Sequence, residues 1–86
     1  MRYVVCGSAP DVMAWRVERG IPWRSVVLCS TTQGHLATRG LSGDVTVVRL
    51  PSWSRASERV RAGVDQNLAI VAYTGSVTEE PPDGRP

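Results

Sequence analysis

The chain begins with a short, unbroken run of apolar residues over positions 3–6, which ends at Gly7. An apolar run without polar alternation is typical of a strand covered on both faces, as in a parallel sheet between helices. Ser8, followed three positions later by Asp11, resembles a capping box and marks the start of a helix. The pattern therefore predicts a buried strand, then a helix that runs to about Arg19.

The same succession of apolar run, small polar residues and helix recurs further along the chain. The second apolar run covers positions 25–29, and a short helix is predicted after it over positions 33–39. The third run covers positions 45–50, where Thr46 and Arg49 interrupt the apolar pattern. These two polar residues make the third strand more amphipathic, so we expect it nearer an edge of the sheet.

The clearest periodic signal predicts a long helix over about positions 55–73. Its apolar residues recur at spacings of three and four, which places them on one helix face. A fourth strand over positions 68–74 is the alternative, because β-branched and aromatic residues are frequent there. We prefer the helix, since a strand would break the apolar stripe. The stripe consists of Ala56, Val60, Val64, Leu68 and Val71.

The order strand, helix, strand, short helix, strand, helix predicts an α/β fold. We expect a minimal Rossmann-like three-layer domain with a three-stranded parallel sheet and helices on its faces. This single domain would cover residues 1–75, and the acidic, Pro-rich residues 76–86 would form a disordered tail. Because a three-stranded sheet leaves two open edges, we also expect a homo-oligomer.

Composition narrows the class of protein without indicating a reaction. The 86 residues are 42% hydrophobic and 21% charged, which is typical of one small globular domain. No apolar run is long enough to span a bilayer, and no signal-peptide pattern is present, so we expect a cytoplasmic protein without a membrane partner. The net charge is +2, but the arginines are scattered, which argues against a nucleic-acid-binding surface.

Candidate ligand-binding residues lie in the loops after the three predicted strands. In an open parallel sheet the carboxyl ends of the strands share one edge, and ligands bind there. Helix N-termini in these loops can hold a phosphate or a nucleotide. The alternative is that the hydroxyl groups only cap helices. The candidates are Gly7, Ser8, Ser30, Thr31, Thr32, Ser52 and Arg55.

No motif indicates an enzyme, a metal site or a cofactor. The G-x-G-x-x-G and Walker A fingerprints are absent, the latter because the chain has no Lys, so a conventional ATPase is excluded. Cys6 or Cys29 could pair with His35 as nucleophile and base, or all three could bind zinc. No Asp or Asn in the nearby loops would orient the imidazole, so we prefer two buried thiols and a solvent-facing His35.

The chain has three tryptophans, a high number for its length. We expect Trp15 to fill the core, because the chain has no Phe. Trp53 lies between two serines at the predicted ligand-binding end, so we expect it to be exposed as an interface residue for a partner.

Three segments within positions 1–73 carry a family resemblance: Tyr-Val-Val-Cys-Gly-Ser at 3–8, Arg-Gly-Leu at 39–41 and Val-Thr-Val-Val-Arg-Leu-Pro at 45–51. They resemble the small α/β accessory proteins common in actinobacteriophage genomes. The Arg-Gly-Leu turn is also similar to the segment before the acidic strand of phage packaging ATPases, although the phosphate loop and the acidic pair are missing here. The resemblance implies a phage accessory protein in the cytoplasm of its host.

The sequence thus favours a non-enzymatic protein that acts by self-assembly or by binding a host or phage protein. A nucleotide- or phosphate-binding module that uses the loops after the strands is the alternative.

Overall fold

The computed structural model describes residues 2–82 of the chain. The strands are β1 (Arg2–Gly7), β2 (Val26–Ser30), β3 (Val45–Arg49) and β4 (Val77–Glu80). The helices are α1 (Ala9–Arg19), α2 (Gly34–Ala37) and α3 (Glu58–Thr74). Two 3-10 turns, Trp23–Ser25 and Pro51–Arg55, precede β2 and α3.

The four strands form one parallel sheet in the order β2-β1-β3-β4. The predicted α/β class with a parallel sheet is therefore confirmed, but the expected number of three strands is wrong. The third predicted strand, β3, is an interior strand and not an edge strand, because β4 pairs along its outer side. Among residues 2–82 no helix is long and apolar enough to cross a membrane.

The missed strand, β4, lies inside the segment expected to be a disordered tail. Its two glutamates and the prolines after it have the composition of such a tail. Pairing with β3 provides backbone hydrogen bonds, and ion pairs with Arg19 and Arg49 hold the two carboxylates. The disorder prediction is therefore wrong for Val77–Glu80, whereas residues 83–86 lie outside the described part of the chain.

Helices cover both faces of the sheet, so the domain has three layers. On one face α1 packs over β1 and β2, and its buried residues Val12 and Trp15 meet Val5 and Val48 of the sheet. The expected core position of Trp15 is thus confirmed. On the other face α2 and α3 cover the sheet, with the predicted stripe buried.

Two helix boundaries follow directly from local capping signals. Ser8 caps α1 by accepting a hydrogen bond from the N–H of Asp11 at 3.4 Å, and Gly20 ends the helix in the left-handed conformation. Ser57 caps α3 by accepting from the N–H of Val60 at 3.2 Å. Positions 68–74 are helical, as preferred, but the helix begins at Glu58 because the residues before its cap form a 3-10 turn.

The turn between α3 and β4 lies directly against the loop before β3. The carboxylate of Asp44 accepts hydrogen bonds from the N–H and the hydroxyl of Ser76 at 3.0 and 2.9 Å. This contact draws the backbones together so closely that a Cβ atom at Gly75 would overlap the carbonyl oxygen of Gly43. The position therefore requires glycine for lack of space.

We predict that Gly75→Ala lowers the free energy of unfolding by about 3 kcal/mol, because β4 must move away from Asp44 to make room. Urea denaturation measures this value. The control is Gly40→Ala, where φ is 75° but no atom lies within 4 Å of the added methyl group; backbone strain alone costs about 1 kcal/mol there. Equal losses in the two variants would contradict the close packing at Gly75.

Candidate functional site

The carboxyl ends of β1 and β3 are joined by hydrogen bonds between the loops that follow them. The backbone N–H of Ser8 donates to the hydroxyl of Ser52 at 2.9 Å, and the N–H of Leu50 donates to the carbonyl of Cys6 at 2.8 Å. A Cβ atom at Gly7 would lie 2.9 Å from the same Ser52 hydroxyl oxygen. The structure therefore brings Gly7, Ser8 and Ser52 together, and protein atoms already fill the space between them.

The other predicted ligand-binding residues lie in separate positions. Ser30 accepts a hydrogen bond from the N–H of Gln33 at 3.0 Å and so closes the turn after β2. Thr31 is half-buried and Thr32 is exposed in that turn, and Arg55 is exposed at the end of the 3-10 turn before α3. Within residues 2–82 no hydrogen bond links these four side chains to Ser8 or Ser52.

The prediction that Trp53 is exposed is wrong. Its side chain is 6% exposed and belongs to the core under α3, because the 3-10 turn folds it back towards the sheet. The exposed tryptophan is Trp23, at 44%, whose ring lies 4.4 Å from the guanidinium of Arg16. Nothing in the sequence distinguishes these two loop tryptophans, since both follow a proline by one or two positions.

Cys6 and Cys29 face each other across β1 and β2, and both are buried. The hydrogen bond to the Cys6 thiol, together with burial, raises the pKa of Cys29 far above its ordinary value. The predicted buried thiols are confirmed. His35 is half-buried rather than solvent-facing, because it packs on Gly63 of α3. No group of three His, Cys, Asp or Glu side chains within residues 2–82 could hold a metal ion.

An open groove of about 540 Å³ lies on the α1 side of the sheet, between α1 and the carboxyl ends of β3 and β4. We call it the α1 groove. Its apolar walls come from both the helix and the loops after the two strands, and its charged residues are both acidic. The residues that line it are Asp11, Ala14, Trp15, Glu18, Leu50, Pro51 and Pro82.

The opposite flank of α1 is apolar and exposed. Met13 and Val17 lie one turn apart on this flank, at 52% and 64% exposure, on the side of the helix away from the α1 groove. Trp23 lies next to this flank, against Arg16, and its 3-10 turn leads directly into β2. We call β2 together with Met13, Val17 and Trp23 the β2 edge surface.

The two edges of the sheet differ in their chemistry. β4 is four residues long, carries two glutamates and is followed by two prolines, and each of these features blocks pairing with another strand. β2 has the sequence Val-Val-Leu-Cys-Ser, with no charge and no proline. No charge or proline in β2 therefore prevents its outer backbone N–H and C=O groups from pairing with another strand.

No protein-family model matches the chain, and comparisons with curated proteins and with solved structures find no significant match.

We predict that Ser52→Ala lowers the free energy of unfolding by about 1–2 kcal/mol, because the partly buried N–H of Ser8 loses its acceptor. Denaturant titration followed by circular dichroism measures the loss. The matched control is Ser54→Ala, two positions away, where the exposed hydroxyl donates to the carbonyl of Pro51 at 3.0 Å. It should cost less than about 0.5 kcal/mol. A Ser52→Ala variant as stable as the control would contradict the role of the buried bond.

We also predict that neither cysteine of the folded protein reacts with Ellman's reagent. Both thiols are buried, and the raised pKa of Cys29 removes the reactive thiolate at neutral pH. Both should react in urea, which exposes them and restores ordinary pKa values. Rapid modification of the native protein would show that the sheet opens between β1 and β2.

Proposed function

We propose that this chain is a non-enzymatic interaction protein that self-associates through the β2 edge surface. Two copies of β2 would pair antiparallel across a two-fold axis and extend the four-stranded sheet into one of eight strands. The observation that carries the proposal is the contrast between the two sheet edges: β4 is charged and ends at prolines, and β2 is neither. Monomeric proteins protect both edges of a sheet from pairing with another chain.

The side chains beside β2 support the same arrangement. Met13 and Val17 of α1 and Trp23 of the turn before β2 are exposed apolar side chains, and we propose that association covers them. Removal of apolar area from water contributes about 25 cal/mol per Å², so three such side chains add to the backbone hydrogen bonds of a five-residue strand.

No charged side chain within β2 opposes the pairing. Arg16 and the exposed Arg24 lie beside the β2 edge surface, and the guanidinium of Arg16 is already engaged by the Trp23 ring and by the carbonyl of Ile21 at 3.1 Å. The contact with the ring places the cation over a π face, which lowers the cost of partial burial.

The finer description of the fold is part of this proposal. A parallel strand order of 2-1-3-4 with helices on both faces is consistent with a minimal Rossmann-like domain. The resemblance to actinobacteriophage accessory proteins implies action in the host cytoplasm on a host or phage protein, and an assembled interaction module suits that role.

The alternative function, binding of a nucleotide or phosphate at the loops after the strands, stays a prediction that the geometry does not favour. The Ser52 hydroxyl accepts the Ser8 N–H that an anion would use. The adjoining α1 groove also carries Asp11 and Glu18, which repel phosphate.

We predict that the wild-type protein has twice the mass of one chain in size-exclusion chromatography with light scattering. Met13→Lys combined with Val17→Lys should weaken the dimer at least about tenfold, because four like charges would meet at the interface. Lys is a good helix former, so both exposed substitutions leave α1 intact.

The matched control is Ile70→Lys combined with Tyr73→Lys. These residues are 57% and 88% exposed on α3, on the other face of the sheet, and their substitution should leave the mass unchanged. A wild-type protein that stays monomeric at high concentration would refute the proposal, as would equal effects of the two double variants.

A further inference from the structure

The last strand, β4, is held to the domain with little apolar contact. Each of the other three strands contains at least one buried residue, whereas β4 contains none. Val77 is the apolar residue of β4, and it lies half-buried against the core under α3. Because burial of apolar surface is the main stabilising contribution in a folded domain, β4 gains less stability from it than any other strand does.

Two ion pairs at the surface connect the side chains of β4 to its neighbours. Glu80 pairs with Arg19 at 2.7 Å, and Glu79 pairs with Arg49. All four side chains are at least 28% exposed to water. Ion pairs in contact with solvent add little stability, because water and salt screen them. They orient β4 on the sheet without binding it tightly.

The connection between α3 and β4 is short and can act as a hinge. Gly75 and Ser76 are the two residues between the helix and the strand. The N–H of Gly75 donates to the carbonyl of Val71 at 2.9 Å, so the last turn of α3 is closed without any bond to β4. On the other side of the hinge, the exposed carboxylate of Asp44 holds Ser76 through two hydrogen bonds. Loss of the Asp44 contact would release β4 and leave the helix intact.

β3, by contrast, is fixed by contacts that do not involve β4. Val47 and Val48 are buried on opposite faces of the sheet, one in the core under α3 and the other in the core under α1. β3 also pairs with β1 along its inner edge through five residue pairs. β3 can therefore keep its place in the sheet when β4 is absent from its outer edge.

We propose that β4 is a detachable guard strand, which leaves β3 by rotation at Gly75 and Ser76 while the rest of the domain stays folded. Segments with few buried apolar contacts and exposed hydrogen bonds open in this way at a lower free energy than the whole domain. In the closed position β4 blocks strand pairing at this edge. The open position uncovers the outer backbone groups of β3, so the movement decides whether the sheet has a second edge that can pair.

Hydrogen exchange at two backbone amides tests the proposal, measured by NMR on the full-length protein. The N–H of Val45 donates to the carbonyl of Ser76 at 2.9 Å, so it loses its acceptor when β4 opens. The N–H of Leu50 donates to the carbonyl of Cys6 in β1 at 2.8 Å and keeps it. Both residues are buried, at 2% and 8% exposure, which makes Leu50 the matched control.

We expect the protection factor of Val45 to be at least about tenfold lower than that of Leu50. In urea below the unfolding transition, exchange at Val45 should stay nearly constant, because opening of β4 exposes little surface. Exchange at Leu50 should rise with urea, because it requires unfolding of the domain.

Asp44→Ala removes the acceptor of both hydrogen bonds from Ser76 and should lower the protection factor of Val45 by about threefold to tenfold. Asp65→Ala is the matched control. It removes an exposed carboxylate from α3 that pairs with Arg49 at 3.6 Å, and it should leave Val45 unchanged. Thermal melts show that both variants are folded.

Equal protection factors for Val45 and Leu50, or equal acceleration of both by urea, would overturn the proposal, because β4 would then leave only when the whole domain unfolds. Equal effects of Asp44→Ala and Asp65→Ala on Val45 would overturn it as well. The two amides are measured in one sample and neither belongs to β2, so the result does not depend on self-association through the β2 edge surface.

Discussion

The burial of β1 on both faces and along both edges is the constraint on which the rest of the structure depends. Val4 and Val5 are neighbours that point to opposite sides of the sheet, and both are fully buried. Val4 belongs to the core under α3 and Val5 to the core under α1. A strand this apolar has no side that water can solvate, so helices must cover both faces and β2 and β3 must flank it.

The central position of β1 also decides where a site can lie. Because the chain passes from β1 to β2 on one side and then returns to β3 on the other, the segments after β1 and β3 lead to opposite faces of the sheet, and hydrogen bonds join them where they leave the strands. A hydroxyl of the second loop, from Ser52, takes the N–H that opens α1. The space left beside it is the α1 groove, where Asp11 and Glu18 give a negative potential. The topology thus leaves a groove beside the capped start of α1.

The two edges of the sheet differ in charge and in their contacts with the rest of the domain. Ion pairs tie the glutamates of β4 to Arg19 of α1 and to Arg49 of β3, which holds the β4 edge against the rest of the domain. β2 carries no charged residue that could form such pairs, and α1, which packs over β1 and β2, exposes Met13 and Val17. Self-association through β2, as proposed, would leave the α1 groove uncovered, because the groove lies between α1 and the ends of β3 and β4.

The sequence by itself determined the features that depend on neighbouring residues: the buried first strand, the Ser8 cap, and the apolar stripe that predicted a long helix over about 55–73, which the structure has at Glu58–Thr74. It also placed Gly7, Ser8 and Ser52 correctly at strand ends. Only the tertiary structure decided that an acidic segment pairs as β4, that Trp53 turns inward, and that Asp11 and Glu18 border a groove. Each of these depends on contacts between segments distant in the chain, as between Ser8 and Ser52, whose interaction no local propensity or periodicity encodes.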